Sequence, residues 1–169
     1  MDNRLDLLRP APPTPPEELC SCPTGTPIKL MGLSGLTSNP LHCLRCNREV
    51  APERLHLSSK EVEALAHWNG MDGAIGWLEL DSGPYADWAR SQLLDPKSPV
   101  NIRGLELVKE LNERHRCYFW FFQPEADDDF EPRTTCPVCE RPLAAYDEGL
   151  FPQMLCDHDH VVVVGGRSE

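Results

Sequence analysis

The chain has no apolar run approaching the ~20 residues that a membrane-spanning helix needs, and residues 1–16 lack the apolar segment of a secretory signal. A cytoplasmic protein without a membrane span is the expectation. Positive charge is scarce as well: 16 Lys and Arg stand against 27 Asp and Glu, a formal net charge of −11. That balance opposes the phosphate attraction behind nucleic-acid binding and favours a basic protein surface as partner. Catalytic signatures are missing too. There is no His-Glu-x-x-His, no phosphate-binding glycine loop, no serine elbow, and no His-x-Glu ahead of a Pro-Cys-x-x-Cys. The expectation is a protein that is not an enzyme, with no catalytic residue and no organic cofactor site.

What the chain does have is 8 cysteines, all but Cys117 gathered in two short-spaced groups. In a reducing compartment such pairs are metal ligands more often than disulfides. The first group is Cys20-x-Cys22 followed, after 20 intervening residues, by Cys43-x-x-Cys46. Two local pairs joined by a loop offer Zn²⁺ four soft ligands at low entropic cost. His42 is the nearest substitute if one sulphur falls short, and Asn47 suits the left-handed residue that can end such a turn. The second group is Cys136-Pro137-Val138-Cys139 followed, after 16 intervening residues, by Cys156-Asp157-His158-Asp159-His160. Three cysteines and one histidine complete a second tetrahedron. Either His158 or His160 fits, and His158 is preferred because its spacing from Cys156 repeats that of Cys20 and Cys22. Asp157 and Asp159 are read as outer groups that orient the imidazole, or as surface charges. Both sites have enough ligands to close, which marks structural rather than catalytic zinc. Filling both takes the formal charge from −11 to about −14.

Between the two sites the pattern predicts an α+β fold, a small mixed α/β body flanked by two zinc-ribbon or knuckle modules. Residues 1–18 read as a proline-rich disordered leader, 19–57 as the N-terminal zinc module, 58–132 as the body with an acidic loop, 133–164 as the C-terminal zinc ribbon and 165–169 as a tail. Ser58 and Glu61 form a capping-box pattern that opens a helix ending near Asn69-Gly70. Residues 74–80 read as a strand, 84–94 as a helix, and 101–113 as a helix capped by Asn101. The aromatic run 116–122 reads as a central strand covered on both faces, with Cys117 a buried apolar residue. The expected core includes Trp77, Leu78, Trp88, Leu107, Leu111, Phe119 and Phe121. Glu125, Asp127, Asp128, Asp129 and Glu131 crowd a segment read as a solvated loop, with docking of a basic partner as the sharper alternative.

The segment Trp77-Leu78-Glu79-Leu80-Asp81-Ser82-Gly83, the Tyr85-Ala86-Asp87-Trp88-Ala89 helix, Ser98-Pro99-Val100-Asn101, the aromatic strand and the following Cys-Pro-x-Cys resemble an uncharacterised bacterial family described as zinc-ribbon-containing, with nucleic-acid binding suggested for it. The resemblance covers residues 74–160. That family's turn continues with glycine where this chain has Glu140, and its second pair is Cys-x-x-Cys where this chain has Cys156-x-His158. A looser resemblance, to cysteine-pair immunity proteins of bacterial toxin systems, rests on the separated cysteine pairs and the acidic balance. The favoured function is therefore a non-catalytic zinc-binding protein-interaction module, an acidic antagonist or regulatory adaptor for a basic partner. A zinc-ribbon nucleic-acid binder is the alternative and requires Arg45, Arg48, Arg54, Arg133 and Arg141 to form one basic stripe. A zinc-dependent enzyme comes third, and the oligomeric state is left open.

Overall fold

The computed structural model describes residues 4–9, 12, 14–32, 39–125, 127 and 130–166. Among the described residues there are six strands: β1 (Ile28–Leu30), β2 (Leu41–Cys43), β3 (Cys117–Trp120), β4 (Ala144–Ala145), β5 (Gln153–Cys156) and β6 (Val161–Val164). They form one mixed sheet in the order β2-β1-β3-β6-β5-β4. β3 runs parallel to both of its neighbours, pairing Leu30 with Phe119 on one side and Phe119 with Val161 on the other. The remaining pairs are antiparallel.

The aromatic run does become the central strand. Side chains alternate across a strand, so Cys117, Phe119 and Phe121 join the main core while Tyr118 meets Leu44, Leu155 and Val162 in a second cluster. A strand covered on both faces needs no polar alternation, which is why the sequence here is apolar almost throughout. Trp68 packs edge-on against Phe119 with ring centroids 5.9 Å apart.

Among the described residues three α-helices accompany the sheet: α1 (Ser59–Asp81), α2 (Ala86–Leu94) and α3 (Pro99–Leu111). The capping box forms at the head of α1, where the Ser58 hydroxyl accepts from the Glu61 backbone N–H and the Glu61 carboxylate accepts from the Ser58 backbone N–H. The helix then passes through Asn69-Gly70 instead of stopping, and the expected strand over 74–80 is its second half. The reason is tertiary: Val62, Leu65, Trp68, Gly73 and Gly76 lie buried at helical spacing, and packing of that continuous face overrides the low helix propensity of the glycines. Trp77 and Trp88, expected in the core, are about half exposed, at 52% and 51%. Leu107, Leu111, Phe119 and Phe121 are buried as expected.

Asn101 is not the cap of α3. Ser98 holds that place, with Pro99 in the first turn, where its missing N–H costs nothing. Asn101 instead donates its carboxamide N–H groups to the carbonyls of Gln92, Leu93 and Asp95, closing the end of α2. The helix presses close to the sheet at Gly104, where a Cβ would fall 2.2 Å from Phe119 Cε2.

Two observations bear on the expected organisation. The leader is tied down in part: residues 4–8 form a short 3-10 turn whose Leu8 is fully buried, and the Thr14 hydroxyl donates to Glu49 at 2.7 Å. Its apolar residues supply burial that the prolines alone could not. The cysteine-bearing segments both contribute to one sheet, β1 and β2 from the first and β4, β5 and β6 from the second. Of the acidic loop, Asp128 and Asp129 lie outside the described residues. Asp127 is pinned by Arg90 at 2.7 Å, and Arg90 also holds Glu79 of α1 at 2.9 Å.

Candidate metal centres

The first centre forms where β2 turns at the sheet edge. The Sγ atoms of Cys20, Cys22, Cys43 and Cys46 all lie within 4.8 Å of one another. Cys43 ends β2, and the chain folds back through Cys46 and Asn47. The Asn47 N–H donates to the Cys43 carbonyl at 2.9 Å, and the Cys43 N–H to the Arg48 carbonyl at 2.8 Å. Asn47 takes φ 60°, the left-handed backbone that asparagine tolerates better than most residues. The Cys20-x-Cys22 half is held from outside: Arg54 donates from Nη1 to the Cys20 carbonyl and from Nη2 to the Cys22 carbonyl, both at 2.6 Å. His42 is not among the converging groups. It lies in β2 with Nδ1 3.2 Å from the Asn47 carbonyl and Nε2 buried without a partner.

The second centre repeats the turn. The Glu140 N–H donates to the Cys136 carbonyl at 2.9 Å and the Cys136 N–H to the Arg141 carbonyl at 2.8 Å, with Glu140 at φ 61°. The Sγ atoms of Cys136, Cys139 and Cys156 converge, and the fourth group is a carboxylate oxygen of Asp159, all within 4.8 Å of one another. His158 stands outside this set with its side chain half exposed, and its Nδ1 lies 2.9 Å from Asp159 Oδ1. His160 is outside it too. It stacks edge-on with Tyr118 at 6.0 Å, and its Nδ1 is buried without a partner. The expected histidine corner is thus taken by an aspartate whose two oxygens divide the work: Oδ2 faces the sulphurs and Oδ1 faces the imidazole. Asp157 turns away to Arg116 at 3.1 Å and to the Tyr118 hydroxyl.

Sequence spacing carried a signal for Asp159 that the histidine reading passed over. Cys156-x-x-Asp159-His160 has the same form as Cys43-x-x-Cys46-Asn47 and Cys136-x-x-Cys139-Glu140, down to the left-handed residue after the second ligand position, here His160 at φ 53°. Asp159 occupies the place of a knuckle's second cysteine.

The dimensions suit zinc. Bonds of ~2.3 Å to sulphur and ~2.0 Å to oxygen place tetrahedral neighbours about 3.8 Å apart for two sulphurs and about 3.5 Å for sulphur and oxygen. Cys139 and Cys156 sulphurs are 3.7 Å apart, and Asp159 Oδ2 stands 3.5 Å from the Cys136 sulphur and 3.8 Å from that of Cys156. The electrostatics call for a cation. Burial pushes the Cys22 and Cys43 thiols up, and pushes Cys136 up to about 12. Burial acts the same way on Cys20, but the Cys22 backbone N–H, the Cys43 and Cys46 thiols and Arg54 outweigh it and bring that thiol down. Asp159 is likewise brought down against its burial, by hydrogen bonds from Cys139, His158 and Cys136. Crowded thiols resist ionising together until a metal ion supplies the opposing charge. Both groups could hold metal ions.

No protein-family model, curated protein or solved structure matches the chain. No described helix is long and apolar enough to cross a membrane.

Proposed function

We propose that the protein is a non-catalytic module that binds two Zn²⁺ structurally and recognises a basic protein partner. The observation that carries the reading is the exposed surface of α1, α2 and the turn between them, where Trp77, Leu80, Tyr85 and Trp88 are 52%, 62%, 62% and 51% exposed. Large aromatic side chains open to solvent on adjoining helices are the composition of a recognition surface. Exposed Asp81 and Asp87 stand beside them, and the net charge of −11 extends the same preference over longer range. The metal centres fasten the two ends of the sheet behind these helices, with zinc as the ion that the tetrahedral donor sets fit best.

The nucleic-acid alternative has less to work with. Arg54 is engaged with the Cys20 and Cys22 carbonyls, Arg48 with the Glu17 carbonyl, and Arg133 lies 5.8 Å over the Phe121 ring. The test is affinity capture with zinc-loaded protein from nuclease-treated extract, run beside a Trp77→Ala/Trp88→Ala variant of equal zinc content. A basic protein retained by the parent, lost by the variant and released by salt is the expected result. Capture that disappears with nuclease treatment, or that the variant matches, would overturn the reading.

A further inference from the structure

The two centres differ in one ligand and in what lies in front of it. The first is enclosed by four sulphurs. The second ends on a carboxylate, and a cleft of about 550 Å³ between α3 and the C-terminal turn opens at that carboxylate. Asp159 is 18% exposed there, and His158 and His160 stand beside it in the cleft wall. Ile102 and Leu105 from α3 and Val138 from the cysteine turn give the cleft apolar lining, and Glu106 and Lys109 of α3 add one charge of each sign. Ile102 and Val138 are exposed to solvent.

We infer that this cleft is a thiol-binding site and that Asp159 is an exchangeable ligand of the second centre. The inference rests on the two-zinc reading and extends it. Three thiolates make a soft metal environment in which a fourth sulphur is a better match than a carboxylate oxygen. Asp159 also has somewhere to go, because His158 Nδ1 already lies 2.9 Å from Oδ1 and retains the carboxylate once Oδ2 lets go. With a metal ion held by Cys136, Cys139, Cys156 and Asp159, an incoming thiol would lose its proton to solvent and its sulphur would take the place of Oδ2 as the fourth ligand. The charge around the metal is unchanged, since one anionic ligand replaces another.

The cleft sets the ligand class. Ile102, Leu105 and Val138 suit a small apolar carbon skeleton. The ligand is a small-molecule thiol with an apolar body. A smaller cleft of about 240 Å³ also reaches Cys20 and Cys43 at the first centre, but all four corners there are sulphurs and substitution by another thiol gains no softer donor.

Cobalt substitution tests this with a readout that needs no activity. The protein is loaded with Co²⁺, its metal content is measured, and it is titrated with phenylmethanethiol. The expected result is a saturable rise in the sulphur-to-cobalt charge-transfer band and a shift of the d–d bands, with both cobalt ions retained after desalting. Asp159→Cys, which closes the corner with a protein thiolate, keeps both ions and gives no response. A parent protein that holds two cobalt ions and shows no spectral change overturns the exchange while leaving the two-metal reading intact. Failure to load the second centre overturns both. A response that persists in Asp159→Cys places the thiol elsewhere and also overturns the inference.

Discussion

Asn47 and Glu140 occupy the same place in two copies of one turn, directly after the second cysteine, with φ of 60° and 61°. Asparagine takes that backbone readily, whereas glutamate pays the steric cost of Cβ against its own carbonyl. Glu140→Gly relieves this cost but gives the unfolded chain more freedom. The expected outcome is a net stabilisation of about 0.5–1 kcal/mol, seen as a higher urea midpoint at unchanged m-value. The same change at Asn47 gains less, which makes the pair a control on the steric argument.

The identity of the fourth ligand is open to direct measurement. Zinc competition with a chromophoric chelator resolves a retained and a more readily released ion in the parent protein. Asp159→Ala releases the second ion at chelator concentrations that leave the first in place. His158→Ala removes only the imidazole that steadies Oδ1, so it weakens the second site by about 10-fold rather than abolishing it. The reverse order of effects would restore histidine as the ligand.

Asp72 gives the fold a pH signature. Burial raises its carboxyl from 3.8 to about 6. Between those values the unfolded chain gives up a proton that the folded chain keeps, so stability falls as pH rises through the window and stays lowered above it. Asp72→Asn removes the ionisation at nearly constant volume. It is expected to stabilise by about 2 kcal/mol near neutral pH and to make little difference near pH ~4. Denaturant melts of the zinc-loaded proteins at the two pH values, with metal content checked at each, measure it.

Gly104 is where α3 and the sheet come closest. A methyl group there would meet the Phe119 ring, whose Cε2 is 2.2 Å from the position of the missing Cβ. Phe119 is itself held by Trp68 and Phe121, so the ring has little room to yield. Gly104→Ala is expected to cost about 1–3 kcal/mol despite the better helix propensity of alanine. A urea melt showing stabilisation would mean that α3 rides further from the sheet.

Legibility followed how local each signal was. The capping box at Ser58, the aromatic strand and the first cysteine quartet are patterns within a few residues or repeats of a single turn, and each reads from the sequence. The three-residue strands Ile28–Leu30 and Leu41–Cys43 are too short to display an alternation, so their membership of one sheet with β3 could not be seen. The continuation of α1 past Gly70 depends on what its buried face meets, and the half-exposure of Trp77 and Trp88 on what it does not. Asp159 was hidden for a chemical reason: histidine is the expected partner of three cysteines, and only the equivalence of the three turns singles out the carboxylate.

The position of β6 between β3 and β5 bears on how the chain must be made. Phe119 pairs with Leu30 on one side and with Val161 on the other, so the central strand borders one strand synthesised long before it and another synthesised well after it. Translation proceeds at roughly 5–20 residues per second, which leaves the aromatic edge of β3 without its second neighbour for seconds on the ribosome. During that interval it is an unpaired β-edge of the kind that invites aggregation, and the exposure ends only when Val161–Val164 emerges to pair with it.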